Sequence, residues 1–193
     1  RVFARIGPPG DCTVIGSGRT ASALHAASLN AMAANVFDFD DTHLPTIAHP
    51  TAPVAPVAFA LAQSRRISGV ELLAAVAACI ELQCRIALAI SPGHYARGWH
   101  ITSTCGVFGS AAAAARLLRL DATQTGWAFG SAASQAGGLV ETLGTMAKSI
   151  GVGNAASNGL LSAMLAQEGF SGPAAPLEGV RGFVPVFGPE VNW

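Results

Sequence analysis

Long stretches of small and apolar residues, without the regular alternation that marks a half-buried strand, constrain this chain most. The segment 102–120, TSTCGVFGSAAAAARLLRL, is an example. Its alanines and glycines suit a helix that approaches its neighbours closely. No clear strand alternation precedes residue 180. We therefore predict an all-α fold, a multi-helix bundle of about six helices with small-residue contact faces.

Capping signals and helix breakers set the expected ends of these helices. Ser68 and Glu71 form a capping-box pattern at the start of a helix that runs to Ile90, and Asp121 is placed to cap a later helix. The other expected helices span residues 21–37, 54–64, 102–120, 122–136, 153–169 and 173–178, with a short strand within 182–187. The pattern divides the chain into an irregular lead-in (1–18), a helical domain (19–184) and a tail (185–193).

Charge and hydropathy argue against two classes of partner. Eleven basic and eleven acidic residues cancel, so no basic face predicts a nucleic-acid partner. The apolar run 72–90 is long enough to cross a bilayer, but Glu81, Gln83 and Arg85 lie near its middle. Such groups favour a buried helix of a soluble protein, with Glu81 and Arg85 paired one turn apart.

The cysteines and the low charge content bear on location and assembly. Four cysteines, without a C-x-x-C pair, are expected as buried free thiols in a reducing cytoplasm. No signal peptide is recognised. Only 11% of residues are charged and 51% are apolar, which predicts that a partner subunit or further chain covers part of the surface.

The segment 38–49, DFDDTHLPTIAH, gathers polar groups that are scarce elsewhere. Asp38, Asp40 and Asp41 are candidates for acid–base chemistry, for metal binding with His49, or for ordinary turn residues. Acidic side chains at a helix C-terminus are unfavourable, so capping of the preceding helix does not explain them. A metal site is the less favoured alternative, because no second cluster of ligands follows at a tight spacing.

Two further residues are candidates for chemistry. His100 precedes a helix start, where its cationic form is disfavoured, so it is expected to be neutral and able to act as a base; a capping or packing histidine is the alternative. Lys148 is the only lysine in the chain and lies in a glycine-rich apolar segment. It is a candidate anion binder or acid–base group, or else an ordinary surface lysine. His94 and Tyr95 are candidate lining residues of the same cavity as His100.

Five strings in order resemble the MmgE/PrpD family over most of residues 20–184. They are NAMAANVFDFDDTH with HP, GWHITSTCGVFGSAAAAARLLRLD, SQAGGL, GTMAKSIGVGNAASNGL and GFSGPAAPLEGVRGF. The resemblance implies a helical domain joined to a smaller α/β domain, which this chain does not include, in a homodimer. The family includes 2-methylcitrate dehydratase, cis-aconitate decarboxylase and an iminodisuccinate epimerase. It implies small di- and tricarboxylate substrates and no obligatory metal or cofactor.

The resemblance also implies site residues. Asp38, Thr42 and His49 match the pocket positions of the decarboxylase branch in the first string, although the loop of this chain is one residue longer than the loop of that branch. His100 and Lys148 match a histidine and a lysine in later strings. The expected function is a cofactor-free lyase or isomerase that moves a proton next to a carboxylate, with His100 or His49 as the proton carrier. The alternatives are a catalytically incomplete helical dimerisation module and a metal-dependent hydrolase.

Overall fold

The computed structural model describes residue 2 and residues 7–192 of the chain. Within this part it contains eight α-helices, one short 3-10 turn and one two-stranded sheet, which confirms the all-α prediction. The helices are α1 (Ala23–Asn35), α2 (Thr51–Ser64), α3 (Gly69–Ile90), α4 (Gly93–Ala96), α5 (Ile101–Leu117), α6 (Ala122–Ala133), α7 (Ala147–Gln167) and α8 (Phe183–Phe187). The strands are β1 (Cys12–Val14) and β2 (Arg19–Ala21), and the 3-10 turn is Val140–Thr142.

Helix α5 is the centre of the bundle. Every residue in it except Arg116 is buried, and it packs against α2, α3, α6 and α7. A helix with only small and apolar side chains can be surrounded in this way, because no polar face has to reach water. The first turn of α5, which belongs to the site, is buried like the rest of the helix.

Local signals predicted helix ends correctly where a side chain caps the backbone. The Ser68 hydroxyl accepts from the Glu71 N–H at 3.2 Å, and the Glu71 carboxylate accepts from the Ser68 N–H at 3.0 Å. Asp121 caps α6 in the same way, accepting from the Gln124 N–H at 2.8 Å. The expected ion pair between Glu81 and Arg85 is also present, at 2.7 Å on the exposed face of α3.

The lead-in differs from the irregular segment that we predicted. Cys12–Val14 pairs antiparallel with Arg19–Ala21, and Gly16 and Gly18 adopt positive φ angles of 77° and 67° in the connection. Three-residue strands are too short to show alternation, which is why the sequence pattern missed them. Asn30 of α1 holds the hairpin by accepting from the Ile15 N–H at 2.9 Å.

The start of α7 is the boundary error that matters for the site. The helix was expected over 153–169 and instead begins at Ala147, so Lys148 lies in its first turn rather than before it. Four other predicted helices are confirmed with shifted ends: α1 is shorter at both ends, α2 begins three residues earlier than 54, and α5 and α6 each end three residues earlier than expected.

The C-terminal part reverses two expectations. Residues 173–178 form bends and turns rather than a helix, and the strand expected within 182–187 is helix α8. Phe183 and Phe187 of α8 stack at 4.6 Å between ring centroids, and Phe187 contacts the Trp99 ring at 4.8 Å. A helical turn brings these two rings to the same face, and this tertiary contact overrides the strand preference of the residues.

Helix α3 is the one helix of the described residues that is long and apolar enough to cross a membrane, by length and composition only. Seven of its residues are buried against the bundle, among them Gln83 and Cys84. A core helix of a soluble protein passes the same test, so this helix is weak evidence for a membrane span.

Candidate functional site

Three elements bring the candidate residues of the sequence together. The loop 36–50 after α1 supplies Asp38 and His49, the N-terminus of α5 supplies His100, and the first turn of α7 supplies Lys148. Helix α7 packs against both α1 and α5, so these three segments meet at one end of the bundle. The N-termini of α5 and α7 both belong to this region, and helix N-termini favour anionic groups.

Asp38 and Lys148 form an ion pair. Asp38 has a φ of 53°, in the left-handed region that Asp tolerates better than most residues, and it follows the end of α1. The Lys148 side chain is 9% exposed, whereas that of Asp38 is 55% exposed. The hydrogen bond from Lys148 lowers the pKa of the Asp38 carboxyl. The lone lysine of the chain is therefore a buried cation, not a surface residue.

His49 lies beside this pair and is held by the loop. Its Nε2 is 3.7 Å from the Asp38 carboxylate, and its Nδ1 is 3.4 Å from an Asp40 carboxylate oxygen. Its Nδ1 is also 3.1 Å from the Asp41 carbonyl oxygen and 3.4 Å from the Thr42 hydroxyl. The backbone N–H of His49 donates to the Thr102 hydroxyl at 3.0 Å, which connects the loop to α5.

Two further contacts fix the acidic loop. Asn35 donates to the Asp40 carboxylate at 2.9 Å. Asp41 accepts from the Thr51 hydroxyl at 2.8 Å and from the Thr51 N–H at 3.2 Å. Because Thr51 is the first residue of α2, Asp41 neutralises the positive end of that helix. Asp41 therefore caps α2, while the carboxylates of Asp38 and Asp40 face His49.

His100 occupies the N-cap position of α5 and is 5% exposed. Its Nδ1 lies 2.7 Å from the Ser103 hydroxyl oxygen, within the first turn of the same helix. Burial, as the largest cause, and the nearby Lys148 and His49 charges together lower the pKa of His100 to about 4, while Asp38 opposes this. The expectation of a neutral histidine thus agrees with its surroundings, although burial contributes more than the helix terminus.

A cavity of about 320 Å³ opens beside these residues. Its polar lining residues include His100, Ser103, Gln135, Lys148, Asn154 and Asn158, and glycines, alanines, Leu139 and Ile150 complete the apolar part. The lining combines one cation, one neutral histidine and several amides, which can hydrogen-bond a small anion. Three candidate residues lie outside this lining: Asp38, Thr42 and His49. Asp38 is connected to the cavity by its ion pair with Lys148, and His49 contacts both Asp38 and Thr42.

His94 does not share the cavity with His100. It is fully buried, with its Nδ1 3.0 Å from the Phe187 carbonyl oxygen and its Nε2 2.7 Å from the Thr104 hydroxyl oxygen. Its ring stacks on Trp99 at 6.0 Å between centroids, and burial lowers its pKa. His94 is therefore a core histidine that ties α4 to α5 and α8.

Sequence reasoning missed Ser103, Asn35 and the two asparagines of α7 as site residues. Ser103 carries the one signal that was available, because it lies three residues after His100 and residues so spaced share a helix face. Asn154 and Asn158 have the i,i+4 spacing that puts both amides on one face of α7. Their approach to His100 depends on how α5 and α7 pack, and no local pattern encodes that.

The acidic loop also has the composition of a cation site. Ligand atoms of Asp38, Asp40 and His49 all lie within 4.8 Å of one another. Lys148 already pairs with Asp38, however, and its ammonium group repels a metal ion in this position. In this arrangement the cluster binds the protein's own cation, which disfavours the metal-dependent alternative.

Comparison with known proteins shows which family this chain resembles. The family model of the MmgE/PrpD N-terminal domain matches residues 1–193. The human cis-aconitate decarboxylase is 37% identical over 164 residues, which cover 82% of this chain and 34% of that protein. The enzyme of the same name from Mus musculus is 35% identical over 82% of this chain and 33% of its own length. The one from Aspergillus terreus is 34% identical over 93% of this chain and 38% of its own length.

The chain therefore spans about a third of the length of the curated relatives that it matches. The matched part includes the acidic loop and the N-termini of α5 and α7, the three segments that form the site. From the match of the whole chain to the family model and from these relatives, the chain belongs to the MmgE/PrpD family, as its N-terminal domain.

Proposed function

We propose that the protein acts as a lyase on small tricarboxylates, by transferring a proton next to a carboxylate. The observation that carries this proposal is the buried Lys148, which lies in the first turn of α7 beside Asp38 and lines a cavity with His100. The relatives named as cis-aconitate decarboxylases favour loss of carbon dioxide over loss of water or epimerisation. We further propose that the protein works in the cytoplasm, a reducing compartment, as its four buried free thiols suggest.

Recognition of a polyanion needs a cation that still has donors to offer. A lysine ammonium group has three N–H donors, and the bond to Asp38 uses one of them. Two donors remain for a substrate carboxylate, and the amides of Asn154 and Asn158 line the same cavity. A cavity of about 320 Å³ lies at the small end of ligand pockets and suits a substrate of few carbon atoms.

The chemistry needs proton transfer and a group that stabilises charge. Loss of carbon dioxide breaks a carbon–carbon bond and leaves an electron pair that must receive a proton. Loss of water instead requires a base to remove a proton next to a carboxylate. In both reactions negative charge builds up on the substrate, where Lys148 and the helix N-termini stabilise it. The two candidate imidazoles are His100, which lines the cavity, and His49, which lies beside the Asp38–Lys148 ion pair.

The test uses the full-length protein with cis-aconitate, and measures carbon dioxide release together with the product by NMR. Citrate and 2-methylcitrate are offered in parallel, with appearance of a carbon–carbon double bond as the readout. We expect turnover of an unsaturated tricarboxylate, and a loss of roughly 100-fold or more in kcat/KM for Lys148→Met.

Arg85→Met is the matched control, because it removes one exposed cation that belongs to a surface ion pair on α3. We expect it to retain full turnover, since such pairs contribute little. If Lys148→Met is folded and turns over within threefold of the parent protein, the assigned site is wrong. Turnover of citrate or 2-methylcitrate alone would shift the proposal from decarboxylation to dehydration.

The dimerisation module remains the second candidate, because large apolar side chains are exposed beside the site. Phe39 is 94% exposed, Leu44 80% and Met146 92%. Patches of this kind mark surfaces that a partner covers. This candidate would be favoured over a lyase if the full-length protein self-associates but turns over none of cis-aconitate, citrate and 2-methylcitrate.

A further inference from the structure

The two histidines of the site meet different partners through Nδ1. In His100 that nitrogen faces a hydroxyl group, the Ser103 Oγ at 2.7 Å. In His49 the nearest partner is the Asp41 carbonyl oxygen at 3.1 Å, and an Asp40 carboxylate oxygen and the Thr42 hydroxyl oxygen each lie at 3.4 Å. A neutral imidazole carries one proton, and the hydrogen bond of one nitrogen decides which nitrogen holds it. These contacts therefore fix the tautomer of each ring.

Ser103 is held in place so that its hydroxyl stays against His100. The residue is 1% exposed. A Cβ at Gly151 would lie 2.6 Å from the Ser103 Oγ, and a Cβ at Gly138 would lie 2.7 Å from the Ser103 Cβ. Two glycines from two segments thus enclose the serine side chain, and any larger residue at either position would displace it.

The Ser103 proton decides the His100 tautomer. Within residues 7–192 the Ser103 Oγ has one hydrogen-bond partner, the His100 Nδ1. If Nδ1 carried the proton, the hydroxyl would accept that bond and its own buried proton would have no acceptor. An unsatisfied buried donor of this kind is costly. The hydroxyl therefore donates to Nδ1, and the imidazole proton is on Nε2.

The same reasoning gives His49 the opposite tautomer. The Asp41 carbonyl oxygen, the nearest partner of the His49 Nδ1 at 3.1 Å, can only accept, while the more distant Thr42 hydroxyl at 3.4 Å can accept or donate. The Asp40 carboxylate oxygen at 3.4 Å would repel an electron pair on Nδ1, so we assign the proton to this nitrogen. In the neutral ring Nε2 then has a free electron pair. The Asp38 carboxylate lies 3.7 Å from this nitrogen, which is too far for a hydrogen bond, and so does not require a proton on Nε2. His49 thus offers an acceptor where His100 offers a donor.

We propose that the two histidines have divided roles: His49 takes up and delivers the proton at Nε2, and His100 donates a hydrogen bond from Nε2 to a substrate carboxylate. Ser103 is the positioning residue that keeps His100 in the donor form. The proposal rests on the proposed function for the identity of the substrate. The low pKa of His100, which keeps its ring neutral at pH 7, agrees with the donor role.

The first test measures the tautomers directly, by NMR of the full-length protein labelled with ¹⁵N in its histidine rings. We expect the proton on Nε2 in His100 and on Nδ1 in His49. In Ser103→Ala the His100 signal should move towards a mixture of both tautomers. Ser110→Ala is the matched control, because Ser110 is a fully buried serine of α5 that donates to the Pro53 carbonyl at 3.0 Å.

The second test uses glutamine, whose side-chain N–H can replace a donor at Nε2 but cannot act as a base. We expect His100→Gln to keep kcat within about 10-fold of the parent, while His100→Ala and His49→Gln lose about 100-fold or more. Ser103→Ala should lower kcat with little change in KM, and Ser110→Ala should change neither.

Either test can overturn the proposal. A proton on Nδ1 of His100, or His100→Gln as inactive as His100→Ala, excludes the donor role. If no tricarboxylate is turned over, the proposed function is wrong. The NMR measurement still tests separately whether His49 and His100 carry their protons on different nitrogens.

Discussion

Asp38 shows how one residue can combine turn chemistry with a place in the site. Its φ of 53° ends the run of helical residues after α1, and Asp is among the few side chains that accept this conformation. The same backbone turn leads its carboxylate to Lys148, 110 residues away in the chain. The sequence left turn and functional interpretations open, and the geometry shows that the two do not exclude each other.

The depressed pKa of His100 makes a prediction about acid stability. The folded-state pKa of about 4 lies below the ordinary value of 6.5. The unfolded chain therefore binds the proton first as the pH falls. The stability contribution is full above about pH 6.5 and is lost progressively towards pH 4, by about 2 kcal/mol between pH 7 and pH 5. The pKa of Asp38 is also lowered, and its contribution to stability is lost only below about pH 4.

We expect His100→Gln to lose less stability than the parent between pH 7 and pH 5. The measurement is urea unfolding at both pH values, with the difference in the free energy of unfolding compared between the two proteins. Equal losses in the parent and in His100→Gln would show that His100 is not held neutral by its surroundings.

At the scale of the elements, the contact of α5 with α7 depends on glycine. A Cβ at Gly159 of α7 would lie 2.4 Å from the Ser110 Cβ and 2.7 Å from the Val107 carbonyl oxygen of α5. Such a distance is far shorter than van der Waals contact, so the two helices would have to move apart. The same contact brings Lys148 at one end of α7 towards His100 at one end of α5.

Gly159→Ala should therefore destabilise the fold by about 1–3 kcal/mol, even though alanine is the better helix former. The matched control is Gly126→Ala in α6, where an added Cβ meets nothing within 4 Å. That change should stabilise by up to about 1 kcal/mol, from helix propensity alone. Urea unfolding of both variants measures the difference, and a gain in stability for Gly159→Ala would contradict this packing.

Helix starts that depend on a local capping side chain could be predicted from the sequence, and those that depend on packing could not. Ser68 and Asp121 mark their helices through bonds within four residues. The first turns of α7 contain Gly151 and Gly153, which argue against a helix by propensity. A Cβ at Gly151 would meet Ser103 and one at Gly153 would meet Met32. These glycines serve contacts with other helices, and a local pattern cannot show that.

The candidate site was predictable in its members more than in its geometry. Lys148 stood out as the only lysine in an apolar segment, and His100 as a histidine before a helix. Their association with Asp38 and His49 came from resemblance to the family. Spacing alone could not bring together residues that are 110 apart, because that requires the packing of α1, α5 and α7.

At the scale of the whole molecule, exposed apolar side chains lie on the two segments that carry Asp38 and Lys148. We propose that a second copy of the chain covers them in a homodimer, as the family resemblance implies. Phe39 and Met146 are 94% and 92% exposed and come from the acidic loop and the start of α7. Burial of such side chains is the main favourable term in association of this kind.

Light scattering after size-exclusion chromatography should find a dimer of the full-length protein. The double variant Phe39→Ser, Met146→Ser should dissociate at concentrations where the parent remains dimeric. Val180→Ser is the control, because Val180 is equally exposed, at 94%, and lies in the C-terminal turns. A double variant that dimerises as tightly as the parent would place the interface on another face.

The burial of Lys148 has a consequence for chemical labelling. Within these 193 residues an amine-directed reagent has a single side chain to modify, and that side chain is 9% exposed and paired with Asp38. Acylation of this chain therefore reports on one position at the mouth of the cavity. An anion bound to the ammonium group would slow that acylation. The mass increase of the peptide that contains Lys148 would then measure how much of the cavity is occupied, without an activity assay.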